Sequence, residues 1–195
     1  MAQHRPPKPM RLFIAATPPM DWRERALSLI GGAAWPAHKA TAIDQLHLTV
    51  LFLGERRPSL LPDIIESITA AAKGLPKIAL TPQKLIALPE KGPARLVAIE
   101  TDLPNALDEL QWRLVQRLVR ADRTPTKFHP HLTLLRFAGA GVDRGSLPRP
   151  PEVDGLGPFD VTELHLISSV LHPLGARHRI EATIPVGSSQ RNSRS

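Results

Sequence analysis

His47-Leu48-Thr49-Val50 and His131-Leu132-Thr133-Leu134 are the same pattern written twice, 84 positions apart. Each copy sits in an apolar run, residues 46–53 in one case and 131–137 in the other, of the length expected for a buried strand. In a strand, successive side chains point to opposite faces, so His47 shares a face with Thr49, and His131 with Thr133. Leu48, Val50, Leu132 and Leu134 then pack away from that face. The polar pairs are left looking out of the core. Two such strands brought side by side place two imidazoles and two hydroxyls around one cleft.

Working outward, residues 11–16 are predicted as a first strand. Thr17 is expected to cap a helix with prolines in its first positions, running to about residue 30 and stopped at Gly31-Gly32. Residues 33–45 are expected as loop. Ser59 is the expected cap of a second helix, in which Leu61, Ile64, Ile65, Ile68 and Ala72 keep helical spacing. Short strands are predicted over 77–80 and 84–88, then a turn at 90–93 and a strand over 95–101. Residues 105–121 carry the clearest helical stripe, with Leu107, Leu110, Leu114, Val115 and Leu118 on it; Arg113, Arg117 and Arg120 lie off it as a solvated face. After the second His-Leu-Thr strand, 139–158 is Gly- and Pro-rich loop, and 159–170 and 178–185 are the closing strands.

Each half thus offers a strand, a helix and a His-Leu-Thr strand. No repeat of 20–50 residues is present, which argues against solenoids and propellers. An internal duplication explains the order best: two α+β lobes related by a pseudo-two-fold, with one motif on each wall of the cleft between them. The expectation is a single bilobal domain over 10–186, with 1–9 and 187–195 as flexible tails.

Composition narrows the chemistry. With no Cys in 195 residues, disulfides, thiolate metal sites and a cysteine nucleophile are excluded. The net charge of +7 falls to +3 once Arg5, Lys8, Arg191 and Arg194 of the two tails are set aside. Such a surplus suits a polyanionic partner such as RNA, and equally an ordinary solubilising surface. The apolar run at 12–16 is too short for a signal peptide, and no run reaches the roughly 18 apolar residues of a membrane helix. A soluble, cytoplasmic monomer with no membrane contact is expected.

A pair of histidines, each titrating near neutrality, supplies both a base and an acid. Opening a cyclic phosphodiester needs such a pair, one group to deprotonate the attacking water and one to protonate the leaving ribose oxygen. The threonine hydroxyls, one step away on the same face, can hydrogen-bond the non-bridging oxygens. The scheme demands no metal and no cofactor. His129 and His131 are two apart and invite a metal reading, but no third ligand stands at a recognisable spacing. His4, His38, His165, His172 and His178 are expected as surface or packing residues. Phe13 and Phe52 could stack on a nucleobase, with core packing the preferred reading.

These residues resemble the 2H phosphoesterase superfamily, whose signature is two H-x-T motifs in one chain. The nearer resemblance is to the RNA 2′,3′-cyclic phosphodiesterases, historically called 2′-5′ RNA ligases. Residues 11–15 resemble that family's opening strand, 46–55 its first motif with flanks, 128–136 the second, and 164–171 its late strand. The resemblance implies a bilobal α+β fold of two antiparallel sheets lining a cleft, with helices packed outside. It implies His47 and His131 as catalytic, Thr49 and Thr133 as phosphate-orienting and Arg136 as phosphate-binding. It also implies metal-free conversion of a terminal 2′,3′-cyclic phosphate of RNA to a 2′-phosphate, with His131 activating water and His47 protonating the leaving oxygen. The motifs themselves are chemically alike and leave those two roles open. Relatives often carry a Tyr where this chain has His178. The alternatives are 2′-5′ RNA ligation, another cyclic nucleotide as substrate, or a protein that binds RNA ends without turning them over.

Overall fold

Both His-x-Thr stretches are strands, and they are neighbours, in the computed structural model, which describes residues 8–119, 127–170 and 177–187. The elements run β1 (Met10–Ala16), α1 (Met20–Gly31), β2 (His38–Ala40), β3 (Leu48–Arg56), α2 (Leu61–Ala72), β4 (Ile78–Leu80) and β5 (Pro82–Leu88). Then follow β6 (Leu96–Thr101), α3 (Asn105–Leu118), β7 (His131–Phe137), β8 (Phe159–Val161), β9 (Glu163–Val170) and β10 (Arg177–Pro185).

The strands order as β10-β9-β1-β3 on one side and β7-β6-β5 on the other, all antiparallel. Where two sheets were expected, these two halves and β2 make one hydrogen-bonded sheet of eight strands. The halves are joined at a single register pair, Leu48 opposite Leu132, one residue past the histidine of each motif. Beyond that pair β3 leaves, and β2 takes the same edge of β7, with Ala40 opposite Leu135 and His38 opposite Phe137. A separate small sheet pairs β4 with β8.

One face of the joined sheets carries the core. Leu12, Ile14, Leu48, Val50, Leu132 and Leu134 are all buried there in one continuous apolar cluster. α2 and α3 pack on each other and cover that face, α3 against β3 and α2 against β10. They present Ile64, Ile68 and Ala71 from α2, and Leu107, Leu110 and Leu114 from α3. Trp22 of α1 is buried as well, its ring 4.6 Å from Phe159 and its indole N–H donating to Gly157 O at 3.0 Å. No helix among the described residues is long and apolar enough to cross a membrane.

Both motif strands bulge, at the same place. Ala15 pairs with Thr49 and Ile14 with Leu51, so Val50 is the extra residue of β3. Ala98 pairs with Thr133 and Val97 with Leu135, so Leu134 is the extra residue of β7. Each bulge falls three residues after the histidine. A bulge advances a strand by one residue against its partner and so reverses which face the later side chains take. Leu134 and Leu135 are accordingly both buried, and Arg136 emerges exposed. Phe52 does the same in β3 and is 61% exposed.

Several expectations need correction. α1 starts at Met20 with Pro19 in the cap position; Thr17 makes no cap, because two prolines hold the intervening chain extended. Ser59 does not cap α2, since 58–60 is a short 3-10 turn leading straight into the helix. Residues 33–45 hold β2 and a turn at Ile43–Gln45. Residues 159–170 break at Thr162 into β8 and β9, which serve different sheets. α3 ends at Leu118, and residues 120–121 of the expected helix lie outside the described residues. Arg113 is not simply solvated: it bonds Glu109 and the carbonyls of Ala71 and Lys73, satisfying the C-terminal end of α2.

Leu48 is fully buried at the pair that joins the sheets. Leu48→Ala should therefore cost about 2–5 kcal/mol, read as a lowered urea midpoint with an unchanged slope.

Candidate functional site

Because Leu48 and Leu132 point into the core, their neighbours His47, Thr49, His131 and Thr133 share the opposite face. An antiparallel pair centred on those leucines sets His47 across from Thr133 and Thr49 across from His131. The two imidazoles thus flank the one residue pair that joins β3 to β7. A positive charge on His131 depresses the pKa of His47, as that proximity requires. The structure thus brings together the four motif residues. It adds Arg136, whose charge bears on both imidazoles.

The same backbone device orients each ring. His47 Nδ1 lies 2.7 Å from Gln45 O, and His131 Nδ1 lies 2.7 Å from His129 O, the carbonyl two residues earlier in both cases. A carbonyl only accepts, so each Nδ1 carries the proton and each Nε2 is the nitrogen that exchanges one. Among the described residues neither Nε2 nor either threonine hydroxyl has a protein partner. The bulge in β7 is pinned from the first lobe: the Thr41 hydroxyl donates to Thr133 O, and its amide to Leu134 O, each at 2.8 Å.

His47 sits under an aromatic cover. The Phe13 ring is 5.0 Å from it and the His178 ring 5.5 Å, with Phe13 also 5.7 Å from Phe52. Burial pulls the His47 pKa down to about 4; the Gln45 carbonyl opposes this, and the charges of His178, Arg136 and His131 add to it. The His131 pKa is lowered too: burial and the charges of His129 and Arg136 push it down, while the His129 carbonyl and Glu100 push it up. His129 donates through Nε2 to Glu100 Oε1 at 2.5 Å, and Lys84 reaches Glu100 Oε2 at 3.3 Å. The two walls therefore differ, aromatic around His47 and ionic around His131.

A groove of about 1140 Å³ opens beside His47 and runs between α1, β9 and β10, lined by Arg23, Asp44, His165, His178 and Arg179 among others. It reaches the motif residues only at the His47 end. The expectations for individual histidines change here. His165 is a packing residue, buried, with Nδ1 3.2 Å from the Thr183 hydroxyl. His178 is at the site, and His129 is engaged by a carboxylate. Phe52 is not in the core. Spacing could not find Phe52 or Arg136, since both reach this face through bulges. His4 and His172 lie outside the described residues.

A family model described as the 2′-5′ RNA ligase superfamily matches residues 33–172, more than half of the chain. The RNA 2′,3′-cyclic phosphodiesterase of Archaeoglobus fulgidus is 28% identical over 173 residues, covering 85% of this chain and 94% of that protein. The crystal structure of E. coli LigT complexed with 3′-AMP superposes with a TM-score of 0.74 at 27% identity, over 92% of this chain and 99% of that one. TT0787 of Thermus thermophilus has the same fold, with a TM-score of 0.73 at 24% identity, over 92% of this chain and all of that one (100%).

His47 should stay neutral until about pH 4, which an NMR titration of its ring protons reads directly. The unfolded chain takes up this proton near pH 6.5, before the folded one does. The His47 contribution to stability is therefore nil above that pH and increasingly unfavourable as pH falls toward 4. His47→Asn should remove that part of the acid sensitivity.

Proposed function

The chain belongs to the 2′-5′ RNA ligase superfamily of 2H phosphoesterases, and from that premise we propose that it hydrolyses the terminal 2′,3′-cyclic phosphate of RNA to a 2′-phosphate. The name of the archaeal relative supports the substrate. The observation that supports the reading is the pairing of Leu48 with Leu132, next to which stand two histidines whose Nδ1 atoms are both held by a backbone carbonyl, leaving Nε2 for proton exchange.

In the proposed reaction one imidazole takes a proton from water through Nε2 as the oxygen attacks phosphorus. The P–O bond to the ribose 3′ oxygen breaks, and that oxygen receives the Nε2 proton of the other imidazole. Each transfer contributes about 10²–10⁴-fold. Thr49 and Thr133 donate to the non-bridging oxygens, and Arg136 supplies the fixed positive charge that their transition state needs. His178 and exposed Phe52, both packed on buried Phe13, offer flat surfaces to the terminal base. Every step uses side chains already at the site, and the scheme needs no metal.

A short RNA with a cyclic phosphate end, assayed with identification of the product phosphate, tests the reading. His47→Ala and His131→Ala should each lower kcat by about 10²–10⁴-fold, with EDTA harmless. A variant that kept near-full activity would overturn the paired mechanism. Arg136→Ala should weaken substrate binding as well as turnover.

The pH profile follows from the two shifts. The base must be neutral and the acid protonated, so kcat/KM rises through the lower pKa, about 4, and falls through the higher, below 6.5. The optimum should lie on the acid side of neutrality. Exchanging the two roles leaves the shape of that curve unchanged.

A further inference from the structure

We propose that Glu100 and His129 are positioning residues for His131, and that they make the two histidines of the proposed reaction unequal. The inference deepens the reading above and rests on His131 being one of the proton-transfer groups.

The pseudo-two-fold supplies the comparison. Two residues before each motif histidine, a carbonyl holds Nδ1–H; the residue is Gln45 in one lobe and His129 in the other. In β6, Glu100 pairs directly with His131. In β1, Ala16 pairs with Leu48, so the matching place beside His47 falls to Thr17. Neutral residues thus stand behind His47 where a carboxylate and an imidazole stand behind His131.

The second lobe uses both groups. The His129 ring is tied to Glu100 at 2.5 Å and lies 5.9 Å from the His131 ring, inclined at 60°. The residue so anchored is the one whose carbonyl orients His131. Glu100 remains a carboxylate: its burial is outweighed by the hydrogen bonds from His129 and Lys84. The charged and titratable groups around His131 are Arg136 on its own strand, Glu100 from β6, Lys84 from β5, His129 before β7 and His47 across the cleft. Glu100 is the acid among them, and it favours the imidazolium that His131 must form or carry in either role.

Glu100→Gln keeps a hydrogen-bond acceptor for His129 and removes the charge. NMR titration of the substrate-free variant should show the His131 midpoint lowered by about half to one pH unit, with His47 barely moved. On cyclic-ended RNA the alkaline limb should move down by the same amount, a roughly three- to ten-fold loss of kcat at pH 7 that shrinks as the pH is lowered through the limb. KM should not change. Lys84→Met, at an exposed side chain, should raise the His131 midpoint, because it frees the Glu100 charge; it also serves if Glu100→Gln does not fold. His129→Gln should speed exchange of the His131 Nδ1 proton.

A His131 midpoint unmoved in both Glu100→Gln and Lys84→Met would overturn the proposal and leave the cluster as a tether between β6 and β7. Absence of turnover in the unsubstituted protein would instead sink the phosphodiesterase reading. The titrations of the free protein keep the two failures apart.

Discussion

One backbone pairing, Leu48 against Leu132, is the constraint on which the site depends. It lies where the two halves of the eight-stranded sheet meet, and both motifs pass through it. Because both leucines are buried in the core, their flanking histidines and threonines turn to the opposite face, where they are half-buried. The hydrophobic demand of the core thus aims the polar face, with no dedicated scaffold for the site. β3 and β7 pair no further than this, and β2 prevents the freed edge of β7 from being left unpaired.

The two halves match in outline, and packing makes them different. Each ring is held by the carbonyl two residues upstream, and each strand bulges three residues after its histidine. The residue delivered by the bulge is Phe52 in one lobe and Arg136 in the other. Around His47 lie buried Phe13 and the His178 ring, with exposed Phe52 against Phe13. Around His131 lie Arg136, Glu100, His129 and Lys84, surfaces suited to charge. A symmetric pair of imidazoles would have no reason to hold opposite protonation states; unequal walls supply one.

Much of the architecture was legible because it follows from periodicity. The stripe at 107, 110, 114 and 115 is buried as the helical spacing requires, and 64 and 68 likewise. The motif strands alternate as expected up to their bulges. What failed was capping: Thr17 and Ser59 have the right side chains, but two prolines after Thr17 hold the chain extended, and Ser59 lies inside a 3-10 turn that leads straight into α2. Strand ends at residue 162 and the short β2 also escaped, because three-residue strands exist only through their partners. Arg113 read as solvated since nothing in its own helix reveals the open carbonyls at the end of α2.

The sequence by itself determined that two His-x-Thr faces exist and that they belong to strands with one buried side. Those properties depend on residue type and on a period of two, both local. Tertiary structure decided which further side chains join them. Alternation alone would send Arg136 and Phe52 to the core side, and only the bulges at Leu134 and Val50 return them to the open face. A bulge is a mismatch between two strands, so it has no signature in either one alone. The same holds for Glu100 and His178, which reach the histidines from distant segments through register, a quantity that exists only once the sheets have formed.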